Sequence, residues 1–182
     1  MTGGPPEIHE RVTAGRLLST TAAHVSQSLD SFCSWLLLGV GATYTFVLSN
    51  LASLQDLIAV ASVRASLYLL LAAIAVGVVQ RWLAATVAAS CATSEKADEI
   101  GCNLSAQEVE VDFAVVFREM QRGLFYPAKW MARRSFKKAM KGDFAVGGRL
   151  AAALSQAQAW LTFLLVALVI AALAVTASGI QV

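Results

Sequence analysis

From Trp160 to Ala177 the chain reads W-L-T-F-L-L-V-A-L-V-I-A-A-L-A-V-T-A, and no Asp, Glu, Lys or Arg occurs anywhere after Arg149. A helix of about 20 such residues crosses the hydrocarbon core of a bilayer. Inside hydrocarbon only helices and closed barrels keep every backbone N–H and C=O paired. The competing reading is a helix buried in a soluble globule. A chain of 182 residues has about one domain's worth of core in which to hide it. Composition weighs against that: 57% of residues are hydrophobic and 14% charged, with mean hydropathy +0.63, where soluble domains carry about a quarter charged residues.

Two more segments fit a span. Phe32–Leu51 is uncharged and long enough. Ser66–Val79 is shorter and is closed by Gln80-Arg81-Trp82, so its helix draws either on Ala59–Ala65 or on Trp82–Ala89. The fold expected is an all-α membrane protein with three transmembrane helices, an N-terminal amphipathic helix and a helical insert between the second and third spans. The divisions expected are a cytoplasmic segment 1–31, a transmembrane hairpin 32–89 with spans near 32–51 and 61–82, a cytoplasmic insert 90–156, and a C-terminal transmembrane helix 157–182. The first 31 residues are polar and the first apolar run is a full span, so no cleavable signal peptide is expected. Cys33, Cys91 and Cys102 are odd in number and lack a C-x-x-C, which reads as reduced thiols.

Charge orients the spans. Lys and Arg are retained on the cytoplasmic side of a membrane. Arg11 and Arg16 precede the first span, Arg64 alone lies between the first two, eleven Lys and Arg fall between Arg81 and Arg149, and none follows the third. The bias favours a cytoplasmic N-terminus and an external C-terminus, in a cell inner (plasma) membrane of bacterial type by the Ala- and Leu-rich composition.

The insert is too long to lack structure of its own. Ser105-Ala-Gln-Glu108 has the spacing of a capping box. Val109, Phe113, Val116, Phe117, Met120 and Leu124 follow at helical spacing, with Gly123 and Pro127 ending the helix. Next comes a basic helix over 129–141. Lys129, Arg133, Arg134, Lys137, Lys138 and Lys141 bring six positive charges and no acid. Ala132, Phe136, Ala139 and Met140 gather on one side, Trp130 sits in the basic sector, and Gly142 caps the end. Such a helix suits anionic phospholipid headgroups. A second reading pairs it with Glu95, Asp98, Glu99, Glu108, Glu110 and Asp112 of the same or a neighbouring subunit. Nucleic acid is the weakest partner, because no reading motif or stacking platform accompanies the charge. Upstream, Leu18, Ala22, Val25, Leu29 and Phe32 repeat as a helical stripe, with Ser19, Thr20, Gln27 and Ser28 off it. They predict a helix lying on the membrane or on another subunit before the chain turns into the first span.

Polar residues inside spans are the candidates for function. Gly39-x-x-x-Thr43 and Gly41-x-x-x-Thr45 are small-x-x-x-small spacings that suit close helix packing. The sharper reading makes Thr43, Tyr44 and Ser49 the lining of a pore. Arg81 reads as an interfacial marker beside Trp82, or as an intramembrane group for anion contact or gating if the span runs on to Ala89. His9 and His24 read as solvated side chains, and no catalytic, phosphate-binding or metal motif occurs. The chain is therefore expected to be no enzyme and to use no cofactor or metal. Three helices cannot enclose a path alone, so the leading functional expectation is a homo-oligomeric channel or membrane-permeabilising pore. The alternative is an anchor or scaffold subunit whose cytoplasmic helices dock a soluble protein partner.

Overall fold

The computed structural model describes residues 5–54, 58–106, 113–123, 126, 128–143 and 145–180. Their regular structure is helical: α1 Pro5–Ser49, α2 Leu51–Leu54, α3 Val60–Ala106, α4 Phe113–Arg122, α5 Ala128–Ala139 and α6 Val146–Ser178. Ile58 and Ile180 form an isolated antiparallel bridge. Three helices are long and apolar enough to cross a membrane, over Glu10–Ser49, Val60–Ala97 and Val146–Ser178, the make-up of a multi-pass membrane protein.

These helices outrun the spans read from the sequence. α1 has 45 residues, about 68 Å at 1.5 Å per residue, against a hydrocarbon core of about 30 Å. The separate N-terminal helix expected before the first span does not exist: α1 runs unbroken from Pro5, because no Pro or Gly falls between Arg16 and Leu38 to stop it. Pro5 and Pro6 are tolerated in its first turn, where the N–H groups lack helical partners anyway. α3 extends Ser66–Val79 in both directions, so Gln80, Arg81 and Trp82 lie inside a helix and do not end one. Ser105, the expected cap, lies within α3, and Glu108, its expected capping-box partner, falls outside the described residues. α6 starts at Val146, about three turns before the expected 157.

Contacts divide the chain into two units: Met1–Ala23 with Val87–Ala153, and His24–Thr86 with Leu154–Val182. In the second unit, Ser26 meets Gln158, Cys33 meets Thr162 and Tyr44 meets Thr176, so α1 and α6 run parallel there. A Cβ on Gly77 would meet Leu37 Cδ1 at 2.8 Å and Leu165 Cδ1 at 3.3 Å, and one on Gly179 would meet Ser62. α3 therefore runs antiparallel to both neighbours.

The buried positions of α3 are Val63, Ser66, Leu70, Ala73, Gly77, Gln80, Ala84, Val87 and Cys91, alternating three and four residues apart. α6 repeats the rhythm through Gly148, Ala151, Ser155, Gln158, Thr162, Leu165, Val169 and Ala172. That is the 3.5-residue seam of helices packed side by side. Its residues are mostly small or polar, while the large apolar side chains face out, Trp35 at 72% and Trp160 at 74% exposure. In water this pattern would be inside out. In lipid nothing drives large apolar groups inward, and small residues let helix backbones approach.

Candidate functional site

Polar side chains collect at one end of the second unit. Gln158, fully buried at 0% exposure, donates through Nε2 to the Ser26 carbonyl at 3.0 Å. One turn on, Thr162 Oγ1 donates to the Gln158 carbonyl at 3.0 Å and lies 3.5 Å from Cys33 Sγ. Because the threonine proton is already used, the thiol is the donor in that second contact. Gln80, 1% exposed, stands three residues beyond Gly77 on the seam of α3, which puts it level with Thr162, three residues before Leu165. Asp30 Oδ1, Gln80 Nε2 and Gln158 Oε1 are buried with no hydrogen-bond partner among the described residues. Past this level the interior turns apolar, with Leu70, Ala73, Leu165, Val169 and Ala172 packed together. At the far end Tyr44 O–H donates to Thr176 Oγ1 at 2.8 Å, the Thr176 proton being held by the Ala172 carbonyl at 3.0 Å.

Of the pore or packing candidates on the first span, only Tyr44 enters this interior. Gly39, Gly41, Thr43, Thr45 and Ser49 are exposed on α1. A Cβ on either glycine would meet nothing within 4 Å. Thr43 Oγ1 donates to the Gly39 carbonyl at 2.9 Å and Thr45 Oγ1 to Gly41 at 2.8 Å, so both hydroxyls are satisfied within their own helix. Arg81 is exposed. Counting five residues from the Leu37–Gly77–Leu165 contact brings Phe32, Trp82 and Trp160 to one level, all three exposed. Counting nine the other way pairs Phe46 with Tyr68, also exposed, about 21 Å from the first level.

In the first unit, Ser19 Oγ donates to Cys91 Sγ at 3.2 Å, and a Cβ on Gly148 would fall 2.1 Å from the Gly15 carbonyl oxygen. α5 ends as its sequence predicts. Gly142 takes φ 86°, its N–H bonds the Ala139 carbonyl at 2.9 Å and Asp143 N–H bonds Lys138 at 3.2 Å, a Schellman cap. Lys129, Arg133, Arg134, Lys137, Lys138 and Lys141 are all exposed, as is Trp130. The Arg134 guanidinium lies 5.8 Å from the centre of the Trp130 ring. Ala132, Phe136 and Ala139 are half-buried, whereas Met140, expected beside them, is exposed. The ion pairs found among the described residues are local: Lys96 with Glu99, Arg122 with Glu119 and Arg149 with Asp143. None ties α5 to the acidic stretch. Glu108, Glu110 and Asp112 fall outside the described residues.

A cavity of about 400 Å³ opens between Trp130, Arg134 and Lys138 of α5 and Val146, Arg149 and Leu150 of α6. Arg149 was not singled out from the sequence. It sits where the chain leads into the last span, and the turn at Gly142 and Asp143 brings it back onto α5. The signal available was its spacing, seven residues past Gly142. No family model, curated protein or solved structure matches the chain.

Proposed function

We propose that the chain is a homo-oligomeric channel or membrane-permeabilising pore, set in a cell inner membrane with its N-terminus cytoplasmic and its C-terminus outside. The observation that carries the reading is the contrast between the filled interior of the second unit and the two open flanks of α1. Ala73, Leu165 and Ala172 are at 0% exposure, so the seam leaves no lumen within one copy. Among the described residues a Cβ on Gly39 or Gly41 would meet nothing within 4 Å. Gly39 with Thr43, and Gly41 with Thr45 and Ser49, form two stripes on either flank of the buried seam, each spaced to suit a second helix. A path across the membrane would then form between copies, lined by one of these stripes. The aromatic level at Phe32, Trp82 and Trp160, with exposed Arg81 beside it, supports a bilayer boundary there. The eleven Lys and Arg between Arg81 and Arg149 support that side being cytoplasmic.

The test is reconstitution of the purified protein in liposomes containing anionic lipid, with ion flux and dye release recorded for wild type, Thr43→Leu and Arg81→Ala. Flux through the wild type that Thr43→Leu alters severalfold supports the pore and its lining. Liposomes that stay tight across voltage and ionic conditions remove a constitutive pore. The second reading, an anchor or scaffold that docks a soluble protein, rests on the cavity beside α5. It expects silent liposomes and recovery of a stoichiometric partner on the purified chain.

A further inference from the structure

Trp130, Arg134 and Lys138 fall at four-residue spacing on α5, and so form one stripe along it. The Schellman turn and buried Ala145 reverse the chain, and α6 answers with Val146, Arg149 and Leu150 from its first turn and a half. The two faces border an open cleft of about 400 Å³. Three cations border it. Among the described residues Asp143 is the carboxylate paired with one of them; it accepts from Arg149 Nη2 and so holds the guanidinium at the rim. Ser135 adds a hydroxyl, and the indole, Val146 and Leu150 supply an apolar side.

From this arrangement we infer that the cavity binds a phosphate-bearing anion carrying an apolar or aromatic appendage. A phosphate offers several acceptor oxygens to donors arriving from different directions, which two guanidinium groups and an ammonium match. A bare inorganic ion would use the cations and leave the indole, Val146 and Leu150 uncovered. The remaining basic residues of α5 (Lys129, Arg133, Lys137 and Lys141) do not border the cavity. They raise the local potential without shaping a site. The inference holds whether the spans conduct or anchor.

The experiment uses the full chain in nanodiscs of phosphatidylcholine, titrated calorimetrically with three probes. Inorganic phosphate tests the bare ion, ATP a soluble phosphate with an aromatic appendage, and dioctanoyl phosphatidylglycerol an anionic lipid headgroup. Saturable binding of ATP or of the short-chain lipid, tighter than inorganic phosphate, is expected, and the better probe assigns the source. Arg134→Ala with Lys138→Ala should weaken it on the order of thirtyfold, about fivefold per cation. Lys137→Ala with Lys141→Ala removes the same charge outside the cavity and should weaken it by only a few-fold. Asp143→Asn frees Arg149 and should tighten binding severalfold, while Glu119→Gln, an equal charge change on α4, leaves it unaltered. Equal losses from the two double variants would mean a diffuse basic face and overturn the inference. Absence of saturable binding to all three probes overturns it too.

Discussion

Gly148 in the first unit and Gly77 in the second occupy like places on their helix seams, yet they face different neighbours. A Cβ at 148 would fall 2.1, 2.8 and 2.9 Å from the carbonyl oxygen, carbonyl carbon and Cα of Gly15. At 77 it would meet only the tips of Leu37 and Leu165, at 2.8 and 3.3 Å. In the first case backbone lies on backbone and nothing can yield. In the second, branched side chains can rotate away. The same residue type is thus indispensable in one unit and replaceable in the other. Gly148→Ala should show the largest stability loss of the variants considered, at or above the upper end of the roughly 1–3 kcal/mol typical of overpacking. Gly77→Ala should cost under about 1 kcal/mol, offset by better helix propensity. Denaturant titration of the purified protein in mixed micelles compares the two. Equal losses would mean that α1 and α6 of the first unit adjust as freely as the leucines do.

Within the second unit the comparison moves to its two ends. The apolar end is held by packing, whereas the polar end holds an amide whose Nε2 has no partner among the described residues, Gln80. A buried donor without an acceptor costs about 1–3 kcal/mol, so a Leu of similar shape in its place removes the penalty. Gln80→Leu should raise stability by about 1 kcal/mol in the same titration. A loss would mean that the amide has a partner in the membrane. The smallest change is expected at the other end, from Tyr44→Phe, which gives up the hydrogen bond to Thr176. Interhelical hydrogen bonds within membranes average about 0.6 kcal/mol, and a loss of that size is expected.

Gln80 and Gln158 also show what the sequence hides. The three spans are legible because length and absence of charge decide them, and Trp160–Ala177 leaves no other solution. The cap of α5 is legible too, since Gly142 after a basic helix is local chemistry. The interior is not, because a search for amphipathic helices follows large apolar residues. Leu18, Ala22, Val25, Leu29 and Phe32 make a fair stripe for a water-facing helix. Of these only Ala22 is buried, and the true seam of α1 runs through Gly15, Ala22, Ser26, Cys33, Val40 and Tyr44. Small and polar residues recurring every three and four positions carried the signal, with Ser66, Ala73, Gly77 and Gln80 the plainest run. Arg149 was hidden for a different reason. Its neighbours on α5 are 11 and 15 residues away in sequence (Lys138 and Arg134), a distance that local periodicity cannot bridge.

The sharpest division is between this seam and the two small-residue stripes that flank it on α1, Gly39 with Thr43 and Gly41 with Thr45, and one double variant tests both. Gly39→Leu with Gly41→Leu puts branched side chains where the chain's own Cβ positions meet nothing within 4 Å. Among the described residues no atom stands there to be displaced, and leucine is the better helix former by about 1 kcal/mol per site over glycine. Stability in micelles should therefore stay level or rise slightly. An interface between copies that relies on close backbone approach at those glycines cannot accept two leucines. Subunit number in nanodiscs, read by mass photometry, should fall to one, and liposome flux should vanish with it. If assembly and flux both survive, these stripes look onto lipid, and any conducting path must be sought along another helix. If the monomer itself unfolds, the stripes are not free, and the contrast between filled seam and open surface fails at its root.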